Sequence, residues 1–107
     1  MLMRMTGPLE RLLRTMLADP SVPWHGYELM KNTKLASGTL YPMLARLEEQ
    51  GLVSSYWEAV PAVAGRPPRK YYQLTAEGAR MARERLAQAP RLAAAKPATG
   101  PGLAGSS

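Results

Sequence analysis

The fold is decided by residues 37–53, Ser-Gly-Thr-Leu-Tyr-Pro-Met-Leu-Ala-Arg-Leu-Glu-Glu-Gln-Gly-Leu-Val. The large apolar residues of this stretch follow the i, i+3, i+4, i+7 spacing of one stripe on an α-helix, and they are Leu40, Met43, Leu44 and Leu47. The opposite side carries small, hydroxylated and basic residues, which are Gly38, Thr39, Pro42, Ala45 and Arg46. Gly51 ends the helix, and Leu52-Val53 begins an extended segment. A short helix with a smooth outer face, followed at once by a strand, is typical of a winged helix-turn-helix.

The composition indicates one small domain with an anionic partner. At 107 residues the chain can bury a single core, and 14 Lys+Arg against 8 Asp+Glu give a formal net charge of +6. This excess favours nucleic acid first and a membrane surface second, and the simpler alternative is a basic surface without a partner. Cysteine is absent, so no disulfide is expected. No apolar run approaches the roughly 18 residues of a membrane-spanning helix, and we expect a soluble, cytoplasmic protein.

The flanking segments predict a mainly α fold with a small β-hairpin: three helices, a two-stranded wing and one C-terminal helix. The first helix begins at Gly7-Pro8 and ends at Asp19-Pro20. A second helix is expected from Pro23-Trp24 to about Asn32 or Thr33, and Ser37 or Thr39 is expected to cap the third. Residues 52–58 and 70–74 are rich in β-forming residues and flank a Pro- and Gly-rich loop, so they should pair as the wing.

Four parts are expected along the chain. Residues 1–7 form a flexible start, residues 8–74 the winged helix-turn-helix, residues 75–89 a C-terminal helix capped by Thr75, and residues 90–107 a disordered tail without apolar periodicity. The first and last helices together offer more apolar surface than a three-helix core buries. We therefore expect a dimer interface that contains Leu9, Leu13, Met81 and Leu86.

Polar residues on the outer face of helix 37–50 are candidate DNA contacts. Arg46 can reach guanine edges or a phosphate, and its alternative is an ion pair with Glu48 or Glu49 on its own helix. Ser37 and Thr39 can hydrogen-bond a phosphate at the helix start, alone or together with a capping role. Periodicity places Tyr41 on the flank of the helix, where a position half in the core is equally consistent.

The predicted wing, residues 61–70, carries three positive charges within five residues, at Arg66, Arg69 and Lys70. This density beside stiffening prolines suits a minor groove or a line of phosphates, and its alternative is a solvated charged turn. Lys34, in the turn before helix 37–50, is a further candidate phosphate contact. His25 is the only histidine, and without cysteines or a carboxylate cluster it indicates neither a metal site nor a catalytic base. No cofactor and no enzymatic activity are expected.

Four blocks, taken together, resemble the PadR family of bacterial transcriptional regulators. They are His25-Gly-Tyr-Glu-Leu29, Ser37-Gly-Thr-Leu-Tyr-Pro42 with Arg46-Leu-Glu48 and Gly51-Leu-Val53, Gly65-Arg-Pro-Pro-Arg-Lys-Tyr-Tyr72, and Leu74-Thr-Ala-Glu-Gly78. The resemblance implies a dimeric winged-helix repressor that small-molecule effectors often release from DNA, with Tyr41 and Pro42 at the groove. The last predicted helix is shorter than the long dimerisation helix usual in that family.

We therefore expect a sequence-specific transcriptional regulator, a homodimeric repressor that binds double-stranded DNA. Helix 37–50 would read the major groove, and wing 61–70 would contact the backbone or the minor groove. The alternative is a winged-helix protein-interaction module without sequence-specific DNA binding. Strongly salt-dependent DNA binding separates the two.

Overall fold

Four α-helices and a small antiparallel sheet form the part of the chain that the computed structural model describes, residues 4–60 and 64–88. The elements are α1 (Gly7–Leu17), β1 (Trp24–His25), α2 (Gly26–Thr33), α3 (Ser37–Glu49), β2 (Val53–Trp57), β3 (Lys70–Leu74) and α4 (Ala76–Gln88). The strand order is β1-β3-β2, and both pairings are antiparallel. This confirms the predicted winged-helix architecture. The expectations for residues 1–3, for residues 61–63 in the wing loop and for the tail lie outside the described residues.

One apolar core joins the helices to the sheet. The stripe predicted on α3 is buried at Leu40, Leu44 and Leu47, and it packs with leucines of α1 and with Val53 and Leu74 of the hairpin. Each fully buried leucine side chain contributes about 1.5–3 kcal/mol relative to an exposed one. This burial fixes the rotation of α3 about its own axis, so its polar side faces outward.

The predicted start of the second helix was wrong. Trp24 and His25 form a short strand that pairs with Tyr72 and Tyr71 of β3, and α2 begins only at Gly26. The reason is tertiary: without β1, β3 would present an open edge on that side, and the backbone groups of Trp24 and His25 find partners there. Local sequence carries no information about a partner so distant along the chain.

The predicted cap of α3 was also wrong. Ala36 occupies the cap position, and its carbonyl accepts the N–H groups of Thr39 and Leu40 at 3.0 and 2.9 Å. Pro42 therefore lies inside the helix and supplies no N–H to the carbonyl of Gly38. Gly38 is exposed, so water can satisfy that carbonyl.

The end of α3 is tied to the start of α4. Gly51 adopts a φ of +75°, and the N–H groups of Gly51 and Leu52 close the helix on the carbonyls of Glu48 and Leu47 at 3.0 and 2.9 Å. Two further bonds attach this turn to Thr75. Its N–H donates to the Leu52 carbonyl at 3.1 Å, and its hydroxyl donates to the Gly51 carbonyl at 2.8 Å. The same hydroxyl accepts the Gly78 N–H at 2.9 Å, which confirms Thr75 as the cap of α4.

Candidate nucleic-acid interface

The outer side of α3 presents a continuous exposed surface. Its exposed members are Ser37, Gly38, Thr39, Pro42, Ala45 and Arg46. With 13 residues, α3 is about 20 Å long, and a helix of this kind fits the major groove of B-DNA, which is about 12 Å wide. Gly38 has open space where a Cβ would stand, so none of the described residues covers this position at the start of the surface.

Arg46 is available for an external partner. Its side chain is exposed, and within residues 4–60 and 64–88 no carboxylate pairs with it. The alternative ion pairs with Glu48 and Glu49 are not formed, and the Glu48 carboxylate instead accepts the Ser55 hydroxyl at 2.5 Å. The hydroxyls of Ser37 and Thr39 likewise have no hydrogen-bond partner in the described part of the chain, so the polar groups of this surface point to solvent.

Tyr41 lies between this surface and the rest of the domain. Its hydroxyl sits against Gly26 at the start of α2, where an added Cβ would be 2.0 Å from the Tyr41 oxygen. Its ring lies 6.5 Å from that of Tyr72. Burial, with smaller contributions from Tyr41 and Glu48, raises the pKa of Tyr72 above its ordinary value, so Tyr72 stays neutral. Tyr41 thus fixes α3 against α2 and β3 while keeping one edge exposed.

Arg66 differs from the expectation of a DNA contact. One of its terminal nitrogens lies 3.0 and 3.2 Å from the two carboxylate oxygens of Glu58, and both side chains are largely buried, at 19% and 15% exposure. Glu58 also accepts the backbone N–H of Arg69 at 3.2 Å. Arg66 and Glu58 therefore neutralise each other at the base of the wing. Sequence reasoning missed Glu58 because it lies on the other side of the loop.

The free charge of the wing comes from Arg69 and Lys70. Arg69 is exposed, and no carboxylate in the described residues pairs with its guanidinium. The Lys70 ammonium lies 5.6 Å from the centre of the Trp57 ring and 5.7 Å from that of Tyr72. Trp57, opposite Lys70 in the β2–β3 register, is 64% exposed. The period of two along β2 places Trp57 on the same side of the hairpin as Val53 and Ser55, and this spacing is visible in the sequence.

Lys34 lies beside the start of α3. It ends α2 in the left-handed conformation, with a φ of 62°, and its side chain is exposed. Its backbone N–H bonds the Met30 carbonyl at 2.9 Å. A non-glycine residue in this conformation is uncommon, and here it turns the chain directly into the first turn of α3.

The four residues expected at a dimer interface have different environments. Leu9, Leu13 and Met81 are buried in the core of the single chain, at 2%, 0% and 8% exposure. These three side chains are therefore not surplus apolar surface, because α1 and α4 cover each other's apolar sides. Leu86 is only half-buried and borders a shallow concavity with Arg14, Leu17 and Ala18.

The described ranges contain no candidate metal site and no candidate membrane span. Within the described ranges, no group of three or more His, Cys, Asp or Glu residues is placed to hold a metal ion. In the same ranges, no helix has the length and apolar character needed to cross a membrane. His25 packs edge-on against Tyr71 at 5.8 Å, stacks on Tyr27 at 6.5 Å and lies 3.6 Å from the Glu28 carboxylate.

A helix-turn-helix with an exposed polar second helix, followed by a hairpin with free cations, defines the class of winged helix-turn-helix proteins. The family model of the transcriptional regulator PadR-like family matches residues 16–84. The chain therefore belongs to the PadR-like family of transcriptional regulators, which are DNA-binding proteins.

Solved structures of the same family resemble this chain. A padr family transcriptional regulator from Eggerthella lenta is 40% identical, with a TM-score of 0.60 over 75% of this chain and 74% of that chain. A PadR-like transcription factor from Bacteroides fragilis is 34% identical, with a TM-score of 0.59 over 76% of this chain and 79% of that chain. A PadR family transcription regulator from Clostridium difficile is 30% identical, with a TM-score of 0.59 over 72% and 81%. None of the curated proteins matches this chain.

Proposed function

We propose that this protein is a sequence-specific repressor that inserts α3 into the major groove of double-stranded DNA. The observation that carries the proposal is the exposed guanidinium of Arg46 on the smooth side of α3, which has no partner among residues 4–60 and 64–88. Arginine is the residue that most often makes bidentate hydrogen bonds to guanine in this groove. Gly38 and Ala45 on the same side let the helix approach the base edges closely.

Contacts to the backbone would hold this helix in place. Lys34 and the Ser37 and Thr39 hydroxyls lie at the start of α3, and Arg69 lies on the wing. Such contacts position a protein on the duplex without reading its sequence. We assign Arg66 to the wing's own structure, since Glu58 already satisfies its charge.

The proposed mode of action is repression in the cytoplasm by occupation of an operator. A compact domain bound at a promoter blocks other proteins sterically and needs no activating surface. One domain reads only a few base pairs, too few to single out one genomic site. We therefore propose a twofold dimer, with half-sites about 10 base pairs apart or a multiple of that distance.

The dimer should depend on Leu86. Replacing Leu86 with glutamate places a charge in the half-buried apolar patch that it shares with Leu17, and we expect monomers that keep their fold. The matched control is Ala87→Glu, which adds the same charge at the neighbouring exposed position. Light scattering measures the mass of each variant. A monomeric mass for the unmodified protein, at concentrations where it binds its operator, contradicts the dimer.

Specific recognition should depend on Arg46. An operator selected from a randomised duplex library is compared with random DNA by fluorescence anisotropy. Arg46→Ala should lose about 1–3 kcal/mol of preference for the operator and keep most of its non-specific binding. Arg83→Ala, which removes the same charge from the exposed side of α4, should keep the preference.

The outcomes separate the alternatives. Equal losses on operator and random DNA would reduce Arg46 to a phosphate contact. An unmodified protein with neither sequence preference nor salt-dependent binding would instead favour the protein-interaction module.

A further inference from the structure

A surface concavity of about 280 Å³ lies where the start of α2, the second turn of α3 and the start of β3 meet. Its lining includes Gly26, Tyr41, Arg69 and Lys70. The concavity is separate from the outer side of α3 that carries Arg46, and Tyr41 is the residue that borders both. It is also separate from the Arg66–Glu58 pair.

The shape of the concavity depends on Gly26. A Cβ at this position would stand 2.0 Å from the Tyr41 oxygen, so only glycine lets the phenol lie directly on the backbone. The Tyr41 hydroxyl has no hydrogen-bond partner among the described residues and can donate to a ligand. The Tyr41 hydroxyl is thus a hydrogen-bond donor at a fixed position in the lining of the concavity.

The side chains that line the concavity carry positive charge. Its lining contains Arg69 and Lys70 and no carboxylate. The acids beside this lining already have partners. Glu58 binds Arg66 and accepts the Arg69 backbone N–H, and Glu28 lies against His25. Glu48, whose charge acts on Tyr72, accepts the Ser55 hydroxyl. Lys70 is restrained between the rings of Trp57 and Tyr72, which reduces the rotamer freedom that it loses on binding an anion.

We propose that this concavity seats one backbone phosphate of the duplex, bound by the Arg69 guanidinium, the Lys70 ammonium and the Tyr41 hydroxyl. This inference rests on the proposed function, because α3 must lie in the major groove for a phosphate to reach it. In a helix-turn-helix the helix before the recognition helix crosses the backbone, and the concavity opens at the start of that helix. One fixed phosphate would set how far α3 enters the groove, since Tyr41 belongs to α3 itself.

The test neutralises one phosphate of the selected operator at a time, as a methylphosphonate. Each duplex is titrated with the unmodified protein, Arg69→Ala, Tyr41→Phe and the control Arg83→Ala. At one position per half-site, neutralisation should weaken binding of the unmodified protein and of Arg83→Ala about threefold to tenfold. Neutralisation of the same phosphate should have little further effect on DNA binding by Arg69→Ala and a reduced effect on DNA binding by Tyr41→Phe. Thermal unfolding of each variant shows that the fold is kept.

The outcomes separate this inference from the proposed function. One outcome is that the protein binds its operator while no phosphate position shows a reduced effect in both Arg69→Ala and Tyr41→Phe. That result overturns the proposed phosphate site and leaves the proposed repressor function standing. Failure of the unmodified protein to bind any duplex overturns both. Inorganic phosphate at millimolar concentration, compared with chloride at equal ionic strength, should not compete with DNA in a saturable way. Saturable competition would mean that the concavity is a site for free phosphate instead.

Discussion

Replacing Gly78 with alanine should destabilise the protein severely. A Cβ at Gly78 would stand 1.8 Å from the carbonyl oxygen of Leu52, and that carbonyl is held by the Thr75 N–H. The added Cβ is fixed to the backbone of α4 and the Leu52 oxygen belongs to the backbone, so no side-chain rotation can relieve the clash. The start of α4 must therefore move away from Leu52. We expect the free energy of unfolding to fall by about 3 kcal/mol, and the melting temperature to fall by more than about 10 °C.

Gly38→Ala is the matched control for this prediction. A Cβ at Gly38 meets nothing within 4 Å. Alanine is a better helix former than glycine, so stability should stay unchanged or rise by up to about 1 kcal/mol. Thermal unfolding followed by circular dichroism measures both variants. Equal melting temperatures for Gly78→Ala and Gly38→Ala would contradict the close approach of α4 to Leu52.

Replacing Gly38 with glutamate should weaken DNA binding strongly without unfolding the protein. The carboxylate would project from the smooth side of α3 toward the phosphates and base edges of the groove. We expect a loss of affinity of about 100-fold or more, equivalent to about 2.7 kcal/mol. A carboxylate in the first turn of a helix is favourable for the helix itself, so the melting temperature should not fall. Gly38→Glu should therefore lower DNA affinity without lowering the stability of the fold.

Ala87→Glu is the control for charge. It makes the same change in net charge at an exposed position of α4 and should weaken binding only a few-fold, through long-range repulsion. Fluorescence anisotropy with the selected operator measures both variants. If Gly38→Glu binds as tightly as Ala87→Glu, then the outer side of α3 is not the DNA-binding surface.

Several features could be predicted from the sequence because their causes are local. The spacing of Leu40, Leu44 and Leu47 determines which side of α3 is buried, and hence that Arg46 is exposed. Gly51 ends α3 because it adopts a positive φ at low cost. Thr75 caps α4 through a hydrogen bond to a residue three positions away. Each of these interactions lies within a few residues along the chain.

Contacts between distant segments determine which groups meet across the fold. Trp24 and His25 became a strand because β3 offers them backbone partners, and Arg66 was neutralised because the hairpin brings Glu58 to it. The phenol of Tyr41 met the backbone of Gly26 in the same way. Leu9, Leu13 and Met81 were buried because α4 packs against α1. Apolar periodicity predicts which face of a helix is buried. Which segment packs against that face depends on contacts between parts of the chain that are far apart in sequence.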